Sequence, residues 1–110
     1  MQLSTHVLDV ARGVPAEGVA VRLFRIEGRT RTELAGGSTN ADGRIASPFG
    51  GELEAGWYEL TFDAGAYYAR RGEASFYDEV PVRFRIDAGG GRYHVPLLLS
   101  PWGYSTYRGS

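Results

Sequence analysis

The chain contains no cysteine, which removes disulfides, thiolate metal ligands and thiol nucleophiles together. It contains no lysine either. All 12 of its basic residues are arginine, a bias that a solvated surface accommodates because either cation serves there. Neither charge sign dominates: a formal net charge of −1 offers no footprint for a nucleic-acid groove or an anionic lipid surface. Long apolar runs are missing too, and none approaches the roughly 20 residues that span a bilayer. The opening Met1-Gln2-Leu3-Ser4-Thr5-His6 lacks the basic start and apolar run of a signal peptide. These absences lead to the expectation of a cytoplasmic protein with no membrane and no nucleic-acid partner.

What is present is a series of short alternating segments between glycine-rich turns. In Trp57–Asp63, Tyr58, Leu60 and Phe62 fall on one side and Glu59, Thr61 and Asp63 on the other. In Val80–Ile86, Val80, Val82, Phe84 and Ile86 fall inward. Such period-two runs mark half-buried strands. Ser4–Val10, Val19–Ile26, Thr30–Ser38 and Tyr93–Ser100 read as further strands, Arg44–Ala46 as a short one, and a last strand runs from Gly103. Turn signals separate them at Arg12-Gly13-Val14-Pro15, Glu27-Gly28, Asn40-Ala41-Asp42-Gly43, Ala55-Gly56 and Ala88-Gly89-Gly90-Gly91. One segment departs from the alternation. Asp63 suits an N-cap, good helix formers follow, Arg70 and Arg71 fill the last turn and Gly72 lies just beyond, which predicts a short helix over about 64–71. Seven to eight strands with one helix predict an all-β, two-sheet sandwich. With no repeat or linker, residues 1–110 read as a single domain.

The stretch Tyr93–Ser100 is apolar on both sides, with Tyr93, Val95, Leu97 and Leu99 on one face and His94, Pro96 and Leu98 on the other. One face of a sandwich sheet is normally wet, so the second face is expected to meet another subunit. Pro96 cannot donate to a ladder, and an irregularity is expected there.

Candidate chemistry is sparse. The only two histidines, His6 and His94, each share a strand face with apolar residues, where an imidazole needs a hydrogen-bond partner. By position alone, a satisfied interface histidine and a reactive one both fit. No third donor stands at ligand spacing, so no metal is expected. Arg44 follows the Asn40–Gly43 turn, where an arginine is usually solvated; Asp9 and Asp42 read as strand-end and turn residues. No Ser/His/Asp order, nucleotide-binding loop or paired carboxylate stands out, and Gly89-Gly90-Gly91 has no helix after it to cradle phosphate. The chain closes on Tyr107-Arg108-Gly109-Ser110, a ring, a guanidinium and a hydroxyl where frayed ends are usual.

His6-Val7-Leu8-Asp9, Gly13-Val14-Pro15-Ala16 and Val19-Ala20-Val21 resemble the N-terminal motif of the transthyretin superfamily. Tyr93-His94-Val95-Pro96-Leu97-Leu98-Leu99-Ser100-Pro101-Trp102-Gly103-Tyr104-Ser105 resembles its C-terminal motif. The resemblance covers essentially the whole chain and implies the transthyretin-like sandwich. Within the superfamily the chain is similar to the 5-hydroxyisourate hydrolases rather than to the hormone carriers. The carriers have lysine and threonine where this chain has His6 and His94, and an unrelated tail. The hydrolases carry both histidines, the arginine of Gly43-Arg44 and a terminal Tyr-Arg-Gly-Ser. Trp102-Gly103 departs from the pattern, away from any expected catalytic position.

The resemblance implies hydrolysis of the cyclic acyl–nitrogen bond of 5-hydroxyisourate to 2-oxo-4-hydroxy-4-carboxy-5-ureidoimidazoline, a step of urate degradation. It implies that His6 and His94 position and deprotonate water, either being the base, and that Arg44 stabilises the developing charge. Tyr107 and Arg108, with His6 and Arg44, hold the substrate, and Ser110 fixes a histidine or the water. No cofactor is implied. The family's homotetramers, dimers of dimers, imply sites in a channel at the dimer–dimer interface. Strand parity adds that Tyr107 lies on the side of His94, where its ring shortens a carrier's through-channel. A transthyretin-type ligand carrier without turnover and a non-catalytic adhesion module are the competing readings.

Overall fold

The computed structural model describes residues 1–110. Its elements run β1 (Gln2–Asp9), β2 (Val14–Pro15), β3 (Ala20–Glu27), β4 (Thr30–Ser38), β5 (Gly56–Asp63), α1 (Ala64–Arg70), β6 (Glu79–Ile86), β7 (Arg92–Ser100) and β8 (Gly103–Thr106). They build two four-stranded sheets, ordered β2-β1-β7-β8 and β4-β3-β5-β6. This is the all-β sandwich with one short helix that the alternation predicts.

The alternation also assembles the core. β1 turns Leu3, Thr5, Val7 and Asp9 between the sheets, and β7 adds Tyr93, Val95, Leu97 and Leu99. Val21, Leu23, Tyr58, Leu60, Phe62 and Val80 face them from the second sheet. Full burial of each large aliphatic or aromatic side chain contributes about 1.5–3 kcal/mol. The polar residues among them are satisfied. Thr5 Oγ1 donates to the Val95 carbonyl at 2.7 Å, and Asp9 accepts from the Tyr67 hydroxyl at 2.8 Å and the Arg12 N–H at 3.1 Å. That Tyr67 bond pins α1 to the end of β1. The helix starts as predicted, with Asp63 Oδ1 accepting from the Ala66 N–H at 3.2 Å, and ends one residue early, Arg71 serving as the C-cap.

Three details differ from the sequence expectation. Arg44–Ala46 forms no strand: only a single bridge joins Arg44 to His6. Asn40 is the reason, because its Oδ1 accepts from the N–H groups of Asp42 and Arg44 at 2.9 and 3.1 Å and keeps the chain in a turn up to that point. Val14–Pro15, read as a turn, pairs with Leu8 and Asp9 as β2. Glu59 and Thr61, on the side of β5 expected to be wet, are buried. Arg31 and Arg83 fold over them, with Nε atoms 3.0 and 2.9 Å from the Glu59 carboxylate.

The irregularity expected at Pro96 is present. β1 and β7 run parallel in unbroken register, Ser4 opposite His94 and His6 opposite Pro96. β8 pairs antiparallel to β7 with Leu97 opposite Thr106, and the same register returns at His94 opposite Gly109. The irregularity is therefore one missing rung against Tyr107, because proline has no N–H to give. The Pro96 carbonyl takes the Thr106 hydroxyl instead, at 2.7 Å.

Candidate active site

Parallel pairing of the first strand with β7 creates the site. Parity puts Ser4, His6 and Leu8 on the outer face of the sheet, beside His94, Pro96 and Leu98. The two histidines come from opposite ends of the chain, yet stand one diagonal apart on neighbouring strands.

Arg44 reaches the same place from the Asn40–Gly43 turn. Gly43 makes that approach possible. Its φ is +75°, its carbonyl accepts from the Val7 N–H at 2.8 Å, and a Cβ on it would run into the Val7 carbonyl oxygen. Only glycine tolerates both the left-handed backbone and the contact.

The hydrogen bonds constrain the rings. His6 Nε2 lies 2.8 Å from the Asp42 carbonyl oxygen. A carbonyl only accepts, so this nitrogen carries a hydrogen, and Nδ1 holds the lone pair of the neutral ring. His94 Nδ1 lies 2.8 Å from Ser4 Oγ, and its Nε2 has no partner within the chain. Burial, then the positive charge of Arg44, then His6 push the His94 pKa below the ordinary 6.5, against an opposing backbone hydrogen bond at Ser4. Uncharged at neutral pH, His94 is in the state a general base needs. Nowhere do three or more His, Cys, Asp or Glu side chains gather in a group able to hold a metal ion.

The tail takes part. The Gly109 N–H donates to the His94 carbonyl at 2.7 Å. The fit is close enough that a Cβ on Gly109 would stand 2.5 Å from His94 Cδ2. Tyr107 and Arg108 then diverge, as neighbours on an extended chain must. Parity sends Tyr107, 58% exposed, to the histidine face. Arg108 goes to the other side, its guanidinium 4.2 Å above the Tyr93 ring. There it borders a cavity of about 300 Å³ between the sheets, with Val82, Phe84 and Val95. His6, Arg44, His94 and Gly109 thus come together, whereas the Arg108 guanidinium points away to Tyr93.

Two residues near the site escaped the sequence reading. Ser4 carries no spacing signal, because its relation to His94 exists only once β1 and β7 pair. Asn40 sits inside a recognised turn signal, and its side-chain acceptor was the clue that it would orient Arg44.

The signature of the HIUase/Transthyretin family matches residues 3–109. A 5-hydroxyisourate hydrolase of Mesorhizobium japonicum is 51% identical over 115 residues, which span 99% of this chain and 92% of that protein. The solved structure of Klebsiella pneumoniae 5-hydroxyisourate hydrolase superposes with a TM-score of 0.88 at 46% identity, covering 100% of both chains. Sea bream transthyretin in complex with thyroxine superposes with the same TM-score, 0.88, over 99% of this chain and 95% of that one, at 31% identity. Backbone shape alone therefore does not separate hydrolase from carrier; the side chains do.

Proposed function

This chain belongs to the HIUase/Transthyretin family, and from that premise we propose how it works as an enzyme. The reaction is hydrolysis of 5-hydroxyisourate in urate degradation. Water adds to the ring carbonyl, the acyl–nitrogen bond breaks, the carbonyl carbon becomes a carboxyl group that stays on the product, and the freed nitrogen takes a proton.

His94 accepts the proton of the attacking water on Nε2 and returns it to the leaving nitrogen. Arg44, charged at every working pH, stabilises the oxyanion. His6 is held by the Asp42 carbonyl at 2.8 Å and orients water and substrate. Ser110, one residue beyond the Gly109 contact with His94, fixes the water, and Tyr107 walls the pocket. Arg108 serves by holding the tail down on Tyr93, which revises the direct substrate contact expected of it. The observation that carries this reading is the convergence of His6, Arg44 and His94 from three separate segments on one sheet face, where burial and Arg44 push the His94 pKa down.

The same face presents Leu8, Leu98 and Tyr107. A second copy covers it in a homotetramer, a dimer of dimers, with the sites in a channel at the dimer–dimer interface. Residues 1–110 act as one domain in the cytoplasm. No helix is long and apolar enough to cross a membrane.

The test follows decay of freshly generated 5-hydroxyisourate by ultraviolet absorbance, with spontaneous decay subtracted. His94→Asn is expected to lose roughly 10²–10⁴-fold while melting and sedimenting like the parent. Near-normal turnover from the folded variant overturns the base assignment. Binding of aromatic hormones without turnover by the parent protein favours the carrier. A stable, fully active monomer overturns the shared-interface site.

A further inference from the structure

We infer that Ser4 is a positioning residue, whose hydroxyl oxygen accepts from Nδ1–H of His94 and thereby keeps the lone pair on Nε2. The inference deepens the reading of His94 as the base and rests on it.

Ser4 Oγ and His94 Nδ1 are 2.8 Å apart, and two proton arrangements satisfy that distance. If the hydroxyl donates, Nδ1 holds the lone pair and Nε2 carries hydrogen, which is useless for taking a proton from water. If the ring donates, Nε2 is free, and the hydroxyl hydrogen needs another acceptor. Ser4 also borders a cavity of about 260 Å³ with Gln2, Ser47 and Arg92. Of the groups lining it, the Gln2 amide oxygen and the Ser47 hydroxyl can accept a hydrogen, and Arg92 is donor-only. Nothing on the ring's own side competes for the Nε2 lone pair.

The parallel register makes the contact a fixed one, since Ser4 stands directly opposite His94 across β1 and β7. The charged and titratable groups around this ring are Arg44 from the turn and His6 on β1, with Arg92 two residues earlier on the same face of β7. Burial, Arg44 and His6 disfavour a cationic ring. Ser4 Oγ favours it, by accepting from Nδ1–H in the protonated state that forms when Nε2 takes the water's proton. Ser4 therefore acts in the transition state more than in the ground state, so its removal lowers kcat and leaves KM in place.

Long-range proton–nitrogen spectra of the full-length labelled protein resolve the two imidazoles, with His94→Asn assigning them. The expected result is a His94 ring protonated on Nδ1 in the parent protein. In Ser4→Ala the neutral ring shifts toward Nε2–H and its titration midpoint falls. In the same variant kcat drops roughly tenfold, the worth of one hydrogen bond to a charged group, at unchanged KM, and Ser4→Thr restores it. A parent ring protonated on Nε2 overturns the inference, whatever happens to Ser4→Ala. So does a folded Ser4→Ala with unchanged tautomer, midpoint and kcat. Full activity in His94→Asn sinks the catalytic reading instead, while the parent tautomer still decides what Ser4 does to the ring.

Discussion

Gly109→Ala is the substitution in which the tail and the histidine are most directly opposed. Carbon atoms pack best at about 3.5–4.0 Å. The added methyl would stand 2.5 Å from His94 Cδ2, 3.1 Å from Cγ and 3.3 Å from Cβ. Relief requires a displacement of about 1 Å. The ring is tethered to Ser4 and its backbone lies in β7, so either the imidazole turns off that tether or the tail lifts and breaks the 2.7 Å bond from Gly109 to His94. Both routes spoil the geometry around Nε2, and a misplacement of this size costs about 10²-fold in rate, or about 2.7 kcal/mol on the barrier. Stability is barely touched. The fold loses at most one backbone hydrogen bond near the terminus, about 0.5–1.5 kcal/mol, and the surface packing of Arg108 on Tyr93. The measurement pairs initial rates of 5-hydroxyisourate decay with thermal melting and sedimentation. A rate within threefold of the parent would refute the seating of the tail against a working histidine. Loss of activity together with unfolding or dissociation would make the tail structural instead.

Further outcomes concern His94 and, away from the site, Tyr67. The His94 pKa is depressed below 6.5, chiefly by burial and then by Arg44, so its protonation favours the unfolded chain. Its contribution to stability is present above pH 6.5 and is lost as pH falls through the depressed folded value; the acid limb of activity is expected below 6.5 for the same reason. Arg44→Gln removes one of the depressing charges, so the His94 midpoint rises in an NMR titration, and an unmoved midpoint refutes the proximity of the two. The Tyr67 hydroxyl is pushed up to about 12, first by burial and then by its bond to Asp9. Tyr67→Phe strips a donor from a buried carboxylate and is expected to cost about 2 kcal/mol in denaturant unfolding with turnover intact; a loss under 0.5 kcal/mol would show that Arg12 satisfies Asp9 alone.

Local pattern was legible where local forces decide. Val80–Ile86 alternates because one face of β6 meets the core. The helix after Asp63 declared itself because caps act through neighbours in the chain. The failures share one cause. Arg44–Ala46 reads as a strand but forms a single bridge, because hydrogen-bond partners lie across space. Glu59 and Thr61 alternate like solvent-facing residues. What buries them is a pair of arginines from β4 and β6 that no period in β5 announces.

The sequence by itself determined the long strands and their core-facing residues, the single helix, and the inventory of reactive groups: two imidazoles, an arginine after a glycine and an unusual last tetrapeptide. Tertiary structure alone decided which of these meet. A strand's side chains alternate whichever partner it takes, so alternation cannot say that β1 lies parallel to β7. Only that pairing sets Ser4 against His94 and brings His6 alongside. The same holds for the tail. Its composition was plain, but the register that β8 keeps across the proline gap is what sends Gly109 to His94 and turns Arg108 away to Tyr93.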